Sequence, residues 1–173
     1  MNLRGFLILK GRIEEERTNA ERLLDTLRQK GYLGPGDPTA PEGLQDEFTL
    51  RAVASILLDY YSAAENIFKE IAKRIDGNLP KGDEWHKDLL LQMKLSLPGL
   101  RPAVLTPDTF GLLDEYRRFR HLVRNIYGFN LIPERVFPLI RNLPKTDAAF
   151  ASDLAKFLKS MEDILGCYSP NLE

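Results

Sequence analysis

Apolar residues recur along the chain at the spacing of α-helices. In the first 31 residues, one apolar set returns every seven residues with charged side chains between its members, which predicts an amphipathic helix ending near Gly31. From Leu44 to Ile75 the apolar face is broader, which predicts the central helix of the core, and Gly77 is placed to end it with a left-handed cap. The members of the first set are Phe6, Ile13, Ala20 and Leu27.

The helical pattern continues in the second half of the chain. A short helix is predicted from Glu84 to about Met93. Thr106 and Pro107 form a typical helix start, with threonine as the cap and proline at the first helical position. The helix that they begin is expected to end near Gly128.

Prolines interrupt the last helical region. The pattern resumes at Pro133, but Pro138 and Pro144 each lack the backbone N–H of a helix interior, so we expect them to kink or divide the helix. A final amphipathic segment follows, with apolar residues from Phe150 to Leu165 along one face.

The pattern as a whole indicates one helical domain. No stretch alternates convincingly with period two, no internal repeat is found, and residues 33–43 are rich in proline and glycine, which predicts a loop. A chain of 173 residues is long enough to bury about 70% of its unfolded surface in a single core. We therefore expect one domain over residues 1–173, an all-α antiparallel bundle of about five helices.

Composition adds little to this picture. The chain is 43% hydrophobic and 28% charged, with a formal net charge of −1, which is typical of globular proteins. Its single cysteine, Cys167, cannot form an internal disulfide, so the fold does not depend on an oxidising compartment. The apolar run GFLILK near the N-terminus is too short for a signal-peptide core or a membrane span. We expect a cytoplasmic protein with no membrane partner.

Positive charge is concentrated in one segment, RRFRHLVRNIYGFN, residues 117–130. Four arginines and a histidine fall within eight residues, and no Asp or Glu occurs from Tyr116 to Pro133. In a chain that is nearly neutral overall, such local asymmetry points to an anionic partner. Placed on a helix, most of these cations share one polar face. That face holds Arg117, Arg120, His121 and Arg124, with Asn125 and Tyr127 at its margins.

This polar face has the chemistry that RNA cleavage requires. A guanidinium donates two parallel hydrogen bonds to a phosphate, and an imidazole exchanges a proton near neutral pH. Arg118 lies to the side, one turn after Asp114, and is expected to pair with it. The alternative is an ordinary solvated face whose arginines pair with the acidic residues of a neighbouring helix. Those acids would be Glu14, Glu15 or Glu16.

Around this segment the chain resembles the HEPN superfamily, specifically the HepT-like toxin domains. Members carry an arginine, four to six further residues and a histidine, often as Arg-Asn-x-x-x-His-x-Tyr, with Pro-Glu-Arg shortly afterwards. RHLVRNIY matches with Arg120 at the arginine, His121 at the asparagine and Tyr127 at the tyrosine position, and PERV follows at 133–136. The resemblance implies a metal-independent ribonuclease without cofactor that acts as a homodimer. Its implied partners are RNA and a cognate minimal nucleotidyltransferase antitoxin, which adenylylates Tyr127.

The sequence departs from the family pattern at one position. On this alignment Asn125 stands where the family has its catalytic histidine, and an amide neither takes nor gives a proton.

Two interpretations follow. In the first, the chain is a ribonuclease with a rearranged centre, in which His121 exchanges protons and Arg120 and Arg124 hold the phosphate, with Arg117 adding positive charge. Asn125 and Tyr127 then orient the RNA. In the second, the chain is an inactive HEPN-like module that binds RNA, a nucleotide or a partner protein.

Other candidate sites are weaker. Two histidines and one cysteine lie far apart in sequence and form no recognisable metal-ligand set, so no metal is expected. In EWHKD, residues 84–88, Trp85 is expected to anchor the short helix to the core and His86 to be exposed.

Overall fold

A computed structural model describes residues 1–33, 42–125 and 131–167, and within these ranges the chain is a bundle of α-helices. A single 3₁₀ turn, Glu42–Gln45, precedes the second helix. No strand is found in the described ranges, although Leu97 and Arg101 form an isolated antiparallel bridge. The predicted all-α class is confirmed. The helices are α1 (Leu3–Gln29), α2 (Glu47–Ile71), α3 (Trp85–Met93), α4 (Pro107–Asn125) and α5 (Pro133–Cys167).

The second helix, α2, lies at the centre of the bundle. It contacts each of the other four helices, as its broad apolar face predicts. The Asp46 side chain caps its first turn by accepting a hydrogen bond of 2.7 Å from the backbone N–H of Thr49. The largest fully buried side chains of α2 are Tyr60, Tyr61 and Phe68. A polar side chain on the buried face of α2 therefore needs partners from neighbouring helices.

A π-helical turn, Ala72–Asp76, continues α2, and Gly77 ends it in the left-handed conformation with φ of 65°. The turn presents Asp76 to the buried Arg101, whose Nε and Nη2 donate to its two carboxylate oxygens at 2.6 and 2.8 Å. Arg101 therefore ties the end of α2 to the segment that connects α3 with α4. It also donates to the backbone carbonyls of Leu95, Pro102 and Gln92.

The helix that carries the arginine-rich segment, α4, is fixed against α5. Thr106 caps its start by accepting from the backbone N–H of Thr109 at 3.3 Å, as predicted. The backbone N–H and the hydroxyl of Thr106 both donate to the Asp153 carboxylate of α5, each at 2.8 Å. Further along, the Tyr116 hydroxyl donates to the Leu139 carbonyl at 2.8 Å. These contacts fix the rotation of α4 and hence the direction of its polar face.

The last helical region is one helix, and the division expected at its prolines does not occur. Pro138 and Pro144 both lie inside α5, which continues for 35 residues. A proline in a helix interior costs about 3 kcal/mol because a hydrogen bond is lost. An apolar stripe offsets this cost, since burying one large apolar side chain contributes about 1.5–3 kcal/mol. Its buried members are Val136, Ile140, Leu143, Phe150, Leu154, Phe157 and Met161.

Candidate functional site

A cleft of about 180 Å³ lies between α4 and the start of α3. Residues three and four apart on a helix lie on the same face, which explains why the polar residues of α4 line one wall together. That wall consists of Arg117, Arg120, His121 and Arg124. The opposite wall consists of Asp83, Glu84, His86 and Lys87. The four residues grouped on one polar face from the sequence thus meet at a single cleft.

Side chains from three helices meet beside this cleft, and we call them the Glu65–His86–Arg120 cluster. Oε1 of Glu65, on α2, lies 2.5 Å from Nδ1 of His86, on α3. The same oxygen lies 3.3 Å from Nη1 of Arg120, on α4. Nη1 of Arg120 is also 2.7 Å from Nδ1 and 3.0 Å from Nε2 of His86. One carboxylate, one imidazole and one guanidinium are therefore in mutual contact.

The contacts assign the tautomer of His86. A carboxylate only accepts hydrogen bonds, so Nδ1 carries the proton that is donated to Glu65. A protonated Nδ1 cannot accept from Arg120, so the short distance between them is a contact without a hydrogen bond. Nε2 of a neutral imidazole keeps its lone pair, while Arg120 Nη1, 2.7 Å from Nδ1 and 3.0 Å from Nε2, lies against the ring and not along that lone pair. Nε2 is therefore the ring nitrogen that can accept a proton.

The surroundings of His86 favour this neutral form. Burial lowers the pKa of His86 most, hydrogen bonding and attraction to Glu65 raise it, and the positive charges of Arg120 and Arg124 lower it. The balance lowers the pKa below the ordinary value of histidine. The lowered pKa favours the neutral imidazole, which is the form that a proton acceptor requires.

Neighbouring side chains hold Glu65 and His86 in place. Glu65 is only 1% exposed, and Lys69 Nζ lies 3.3 Å from its second carboxylate oxygen, so the buried charge has partners on both oxygens. Lys69 also lies over the Trp85 ring at 4.8 Å, and that ring contacts the His86 ring at a centroid distance of 3.5 Å. Trp85 packs against the core as expected. The expectation that His86 is exposed is wrong, because these contacts leave its side chain only 23% exposed.

The arginines of the cleft differ in their internal partners. Arg117 Nε donates to Asp114 at 2.6 Å, and Arg118 pairs with the other oxygen of Asp114 at 2.7 Å, as predicted. Arg120 makes its contacts through Nη1 alone, so its Nε and Nη2 form no hydrogen bond within the described residues. Arg124 is exposed and forms no ion pair with a described carboxylate. None of these arginines pairs with the acidic residues of α1 that the alternative interpretation named.

A buried hydroxyl lies next to this arrangement. Tyr61 is one turn before Glu65 on α2 and is fully buried, and its hydroxyl has no hydrogen-bond partner among the residues that the structure describes. Burial raises the pKa of Tyr61, and it interacts electrostatically with Glu65, Arg117 and Arg120. The hydroxyl is an unsatisfied polar group close to three charged side chains.

The remaining predicted residues lie at or beyond the end of α4. His121 is exposed and lines the cleft. Asn125 is the last residue of α4, and its side chain is outside the described part of the structure. Tyr127 falls in residues 126–130, also outside it. The roles predicted for Asn125 and Tyr127 stay predictions.

Sequence reasoning missed Glu65 and misjudged His86. Glu65 carries a signal that was available, since it lies among the apolar residues of the central helix, where a carboxylate must find partners. The sequence around His86 carries no such signal, because the sequence of a short helix such as α3 does not indicate which helix it packs against.

No group of three or more His, Cys, Asp or Glu side chains in the described residues is arranged to hold a metal ion. No described helix combines the length and apolar character needed to cross a membrane.

Comparison with known proteins agrees with the resemblance noted in the sequence. A family model described as HepT-like protein matches residues 52–161, which is more than half of the chain. The match includes most of α2 and α5 and all of α3 and α4, so it contains the whole Glu65–His86–Arg120 cluster. No curated protein and no solved structure matches the chain. On the extent of the family match, the chain belongs to the HepT-like protein family.

Proposed function

We propose that the chain is the toxin of a toxin–antitoxin pair and acts as a metal-independent endoribonuclease. The observation that supports this most is the single cleft in which three arginines and two histidines converge. RNA offers such a cleft a phosphodiester, whose charge suits guanidinium, and a 2′-hydroxyl, whose proton an imidazole accepts. The cleft residues in question are Arg117, Arg120, Arg124, His86 and His121.

The proposed reaction is attack of the 2′-oxygen on the adjacent phosphorus. A base takes the hydroxyl proton, a new bond forms between the 2′-oxygen and phosphorus, and the bond from phosphorus to the 5′-oxygen breaks. An acid protonates the departing 5′-oxygen, so that the products are a 2′,3′-cyclic phosphate and a 5′-hydroxyl. Positively charged donors around the phosphate stabilise the charge that develops on its oxygens.

The arginines supply these donors. Among the described residues Nε and Nη2 of Arg120 make no hydrogen bond, which leaves them for a phosphate while Nη1 contacts Glu65, and Arg124 is exposed at the cleft. Arg117 donates through Nε to Asp114, and its guanidinium adds positive charge to the same wall. His121 exchanges protons from this wall, and Asn125 and Tyr127 orient the RNA.

Family membership supports three further proposals about assembly and control. The chain forms a homodimer in which two α4 helices approach each other, pairs with a minimal nucleotidyltransferase antitoxin, and is adenylylated by it on Tyr127. Light scattering of the purified chain measures the dimer. Incubation with the antitoxin and ATP should add the mass of one AMP, and Tyr127→Phe should abolish that addition.

A second function is favoured by one specific observation. Arg117 and Arg120 both pair with internal carboxylates, those of Asp114 and Glu65. Arginines held in this way suit a module that binds RNA, a nucleotide or a partner protein without cutting it, which is the alternative to cleavage.

Cleavage of RNA in the presence of EDTA decides between the two functions. The wild type should cut single-stranded RNA and leave a 2′,3′-cyclic phosphate, whereas an RNA with a 2′-deoxy linkage should bind without being cut. Arg120→Ala and His121→Ala should both lose activity. Arg118→Ala is the matched control, since Arg118 lies on the same helix but does not line the cleft, and it should retain activity. Binding without cleavage by the wild type would support the module instead.

Asn125 provides a separate test of the alignment with the family. If Asn125 stands at the family's histidine position, Asn125→His should raise the rate of RNA cleavage above that of the wild type. An unchanged rate would show that the site does not use that position.

A further inference from the structure

The proposed reaction needs a base for the 2′-hydroxyl proton, and the family position for a histidine is held by Asn125. We propose that His86, from α3, is this catalytic base and that Glu65, from α2, is the residue that positions it. The proposal rests on the ribonuclease function proposed above and names a catalytic residue outside the arginine-rich helix.

The shared cleft and the proton on Nδ1 carry the proposal. His86 donates its Nδ1 proton to the buried Glu65, so Nε2 is the ring nitrogen that keeps a lone pair. His86 lines the same cleft as Arg120 and Arg124, and Arg120 Nη1 lies 3.0 Å from Nε2. Arg120 is the proposed ligand of the phosphate, and the nucleophilic 2′-hydroxyl of RNA is adjacent to that phosphate. A phosphodiester bound by Arg120 therefore brings its 2′-hydroxyl close to the imidazole, and a base must lie within hydrogen-bond reach of the proton that it takes.

The surroundings of His86 hold its ring in this orientation. Glu65 is buried and is itself held by Lys69 and Arg120. The Trp85 ring lies against the imidazole at 3.5 Å and an interplanar angle of 32°, which leaves the ring little freedom to turn. A base whose second nitrogen is bound to a buried carboxylate is fixed in both tautomer and direction.

Charges from several elements act on His86, and the neutral imidazole is the form that their balance favours. Its pKa lies below the ordinary value, because burial and two arginines outweigh the attraction of Glu65. The charged and titratable groups that face it are Glu65 and Lys69 from α2, Arg117, Arg120, His121 and Arg124 from α4, and Asp83, Glu84 and Lys87 on its own side of the cleft.

The second histidine of the cleft has a different role under this proposal. His121 is exposed, whereas His86 is oriented by a buried carboxylate. His86 takes the proton of the 2′-hydroxyl, and His121 gives a proton to the departing 5′-oxygen. Each proton transfer then has its own imidazole, and the protons balance over the reaction.

Cleavage kinetics with RNA in EDTA test the role of His86. His86→Gln is the main variant, since glutamine keeps a donor for Glu65 but takes up no proton, and His86→Ala is the second. Both should cleave about 100-fold to 10,000-fold more slowly, the contribution of a positioned base. Their dissociation constants for 2′-deoxy-substituted RNA should stay near that of the wild type. Free imidazole should restore part of the activity of His86→Ala, which a purely structural role would not allow.

The pH profile tests the positioning role of Glu65. The Glu65 carboxylate raises the pKa of His86 through its hydrogen bond and its charge. Glu65→Gln should therefore move the rising limb of kcat/KM to lower pH, in addition to lowering kcat. A loss of kcat with an unmoved limb would remove Glu65 from the proposal.

The outcomes separate the two proposals. An inactive wild type would overturn the ribonuclease itself. An active wild type with an equally active His86→Gln would overturn the role of His86 alone. Loss of activity in His121→Ala together with an intact His86→Gln would assign both proton transfers to His121. The control Arg118→Ala should match the wild type throughout.

Discussion

Arg101→Met should destabilise the protein strongly, although Arg101 is far in sequence from the arginine-rich segment. Arg101 is 2% exposed, and its side chain makes five hydrogen bonds to described residues, two of them to Asp76. Methionine keeps much of the apolar length of the side chain but removes the charge and every donor. The Asp76 carboxylate then stays buried, and within the described part of the chain its remaining side-chain partner is Gln92 Nε2, at 2.5 Å.

The magnitude follows from burial. Removing one member of a buried ion pair costs about 3–5 kcal/mol, because the other charge is left without its counterion. For a chain of this size, 1 kcal/mol lowers the Tm by about 2–4 °C, so the expected fall in Tm is about 6–20 °C. Replacing both members should recover part of that loss, since an apolar pair leaves no buried charge.

Thermal and urea unfolding of Arg101→Met, of Asp76→Leu and of the double variant measure this coupling. Arg28→Met is the matched control, because Arg28 pairs with Asp25 at 2.7 Å while both side chains are more than half exposed. An exposed pair contributes at most about 1 kcal/mol. Equal losses in Arg101→Met and Arg28→Met would refute the reasoning, as would a double variant whose loss equals the sum of the two single losses.

Three further predictions concern binding, a buried hydroxyl and pH. Arg124→Ala should reduce the magnitude of the slope of log K against log [salt] by about 0.7, where K is the association constant for single-stranded RNA, because one phosphate contact is lost. Arg118→Ala should leave the slope unchanged. Equal slopes in the two variants would argue against a phosphate contact by Arg124. Tyr61→Phe should raise the free energy of unfolding in urea by about 1 kcal/mol, because its buried hydroxyl has no partner in the described ranges of the chain, and a loss of stability would show that the hydroxyl is satisfied. Burial raises the pKa of Asp153, but hydrogen bonds from Thr106 and Thr109 lower it by a larger amount. The resulting pKa lies below the ordinary value of 3.8. The ionised carboxylate therefore stabilises the fold above about pH 4, and this contribution is lost as the pH falls through the lower folded-state pKa. Asp153→Asn should be less stable than the wild type at neutral pH, and the two free energies of unfolding should converge on acid titration. A difference between them that stays constant with pH would contradict this.

The helices were predictable because their determinants are local. The apolar repeat of α1, the broad face of α2 and the Thr106 cap of α4 all act within one or two turns of the chain. The continuity of α5 was not predictable in this way. Proline at 138 and 144 is locally unfavourable, and only burial of the α5 stripe against other helices outweighs that cost.

The candidate site, too, was predictable only where its determinants are local. The shared face of Arg117, Arg120 and Arg124 follows from helical spacing alone. The partners of Arg120 do not, because Glu65 and His86 lie 55 and 34 residues away in sequence, and only the packing of α2, α3 and α4 brings them together. The sign of this contact in the sequence is an acidic residue, Glu65, among the apolar residues of the buried face of α2.

The π turn that follows α2 constrains how the chain tolerates changes in length. A π turn holds one more residue than an α-helical turn and commonly occurs as a single widened turn within an α-helix. Deleting one residue from 72–76 would restore a regular helix but rotate Asp76 away from Arg101. The buried guanidinium of Arg101 would then lack its counterion. Relatives that lack this residue should therefore have replaced Asp76 and Arg101 together, so a one-residue gap in an alignment should coincide with the exchange of two positions 25 residues apart.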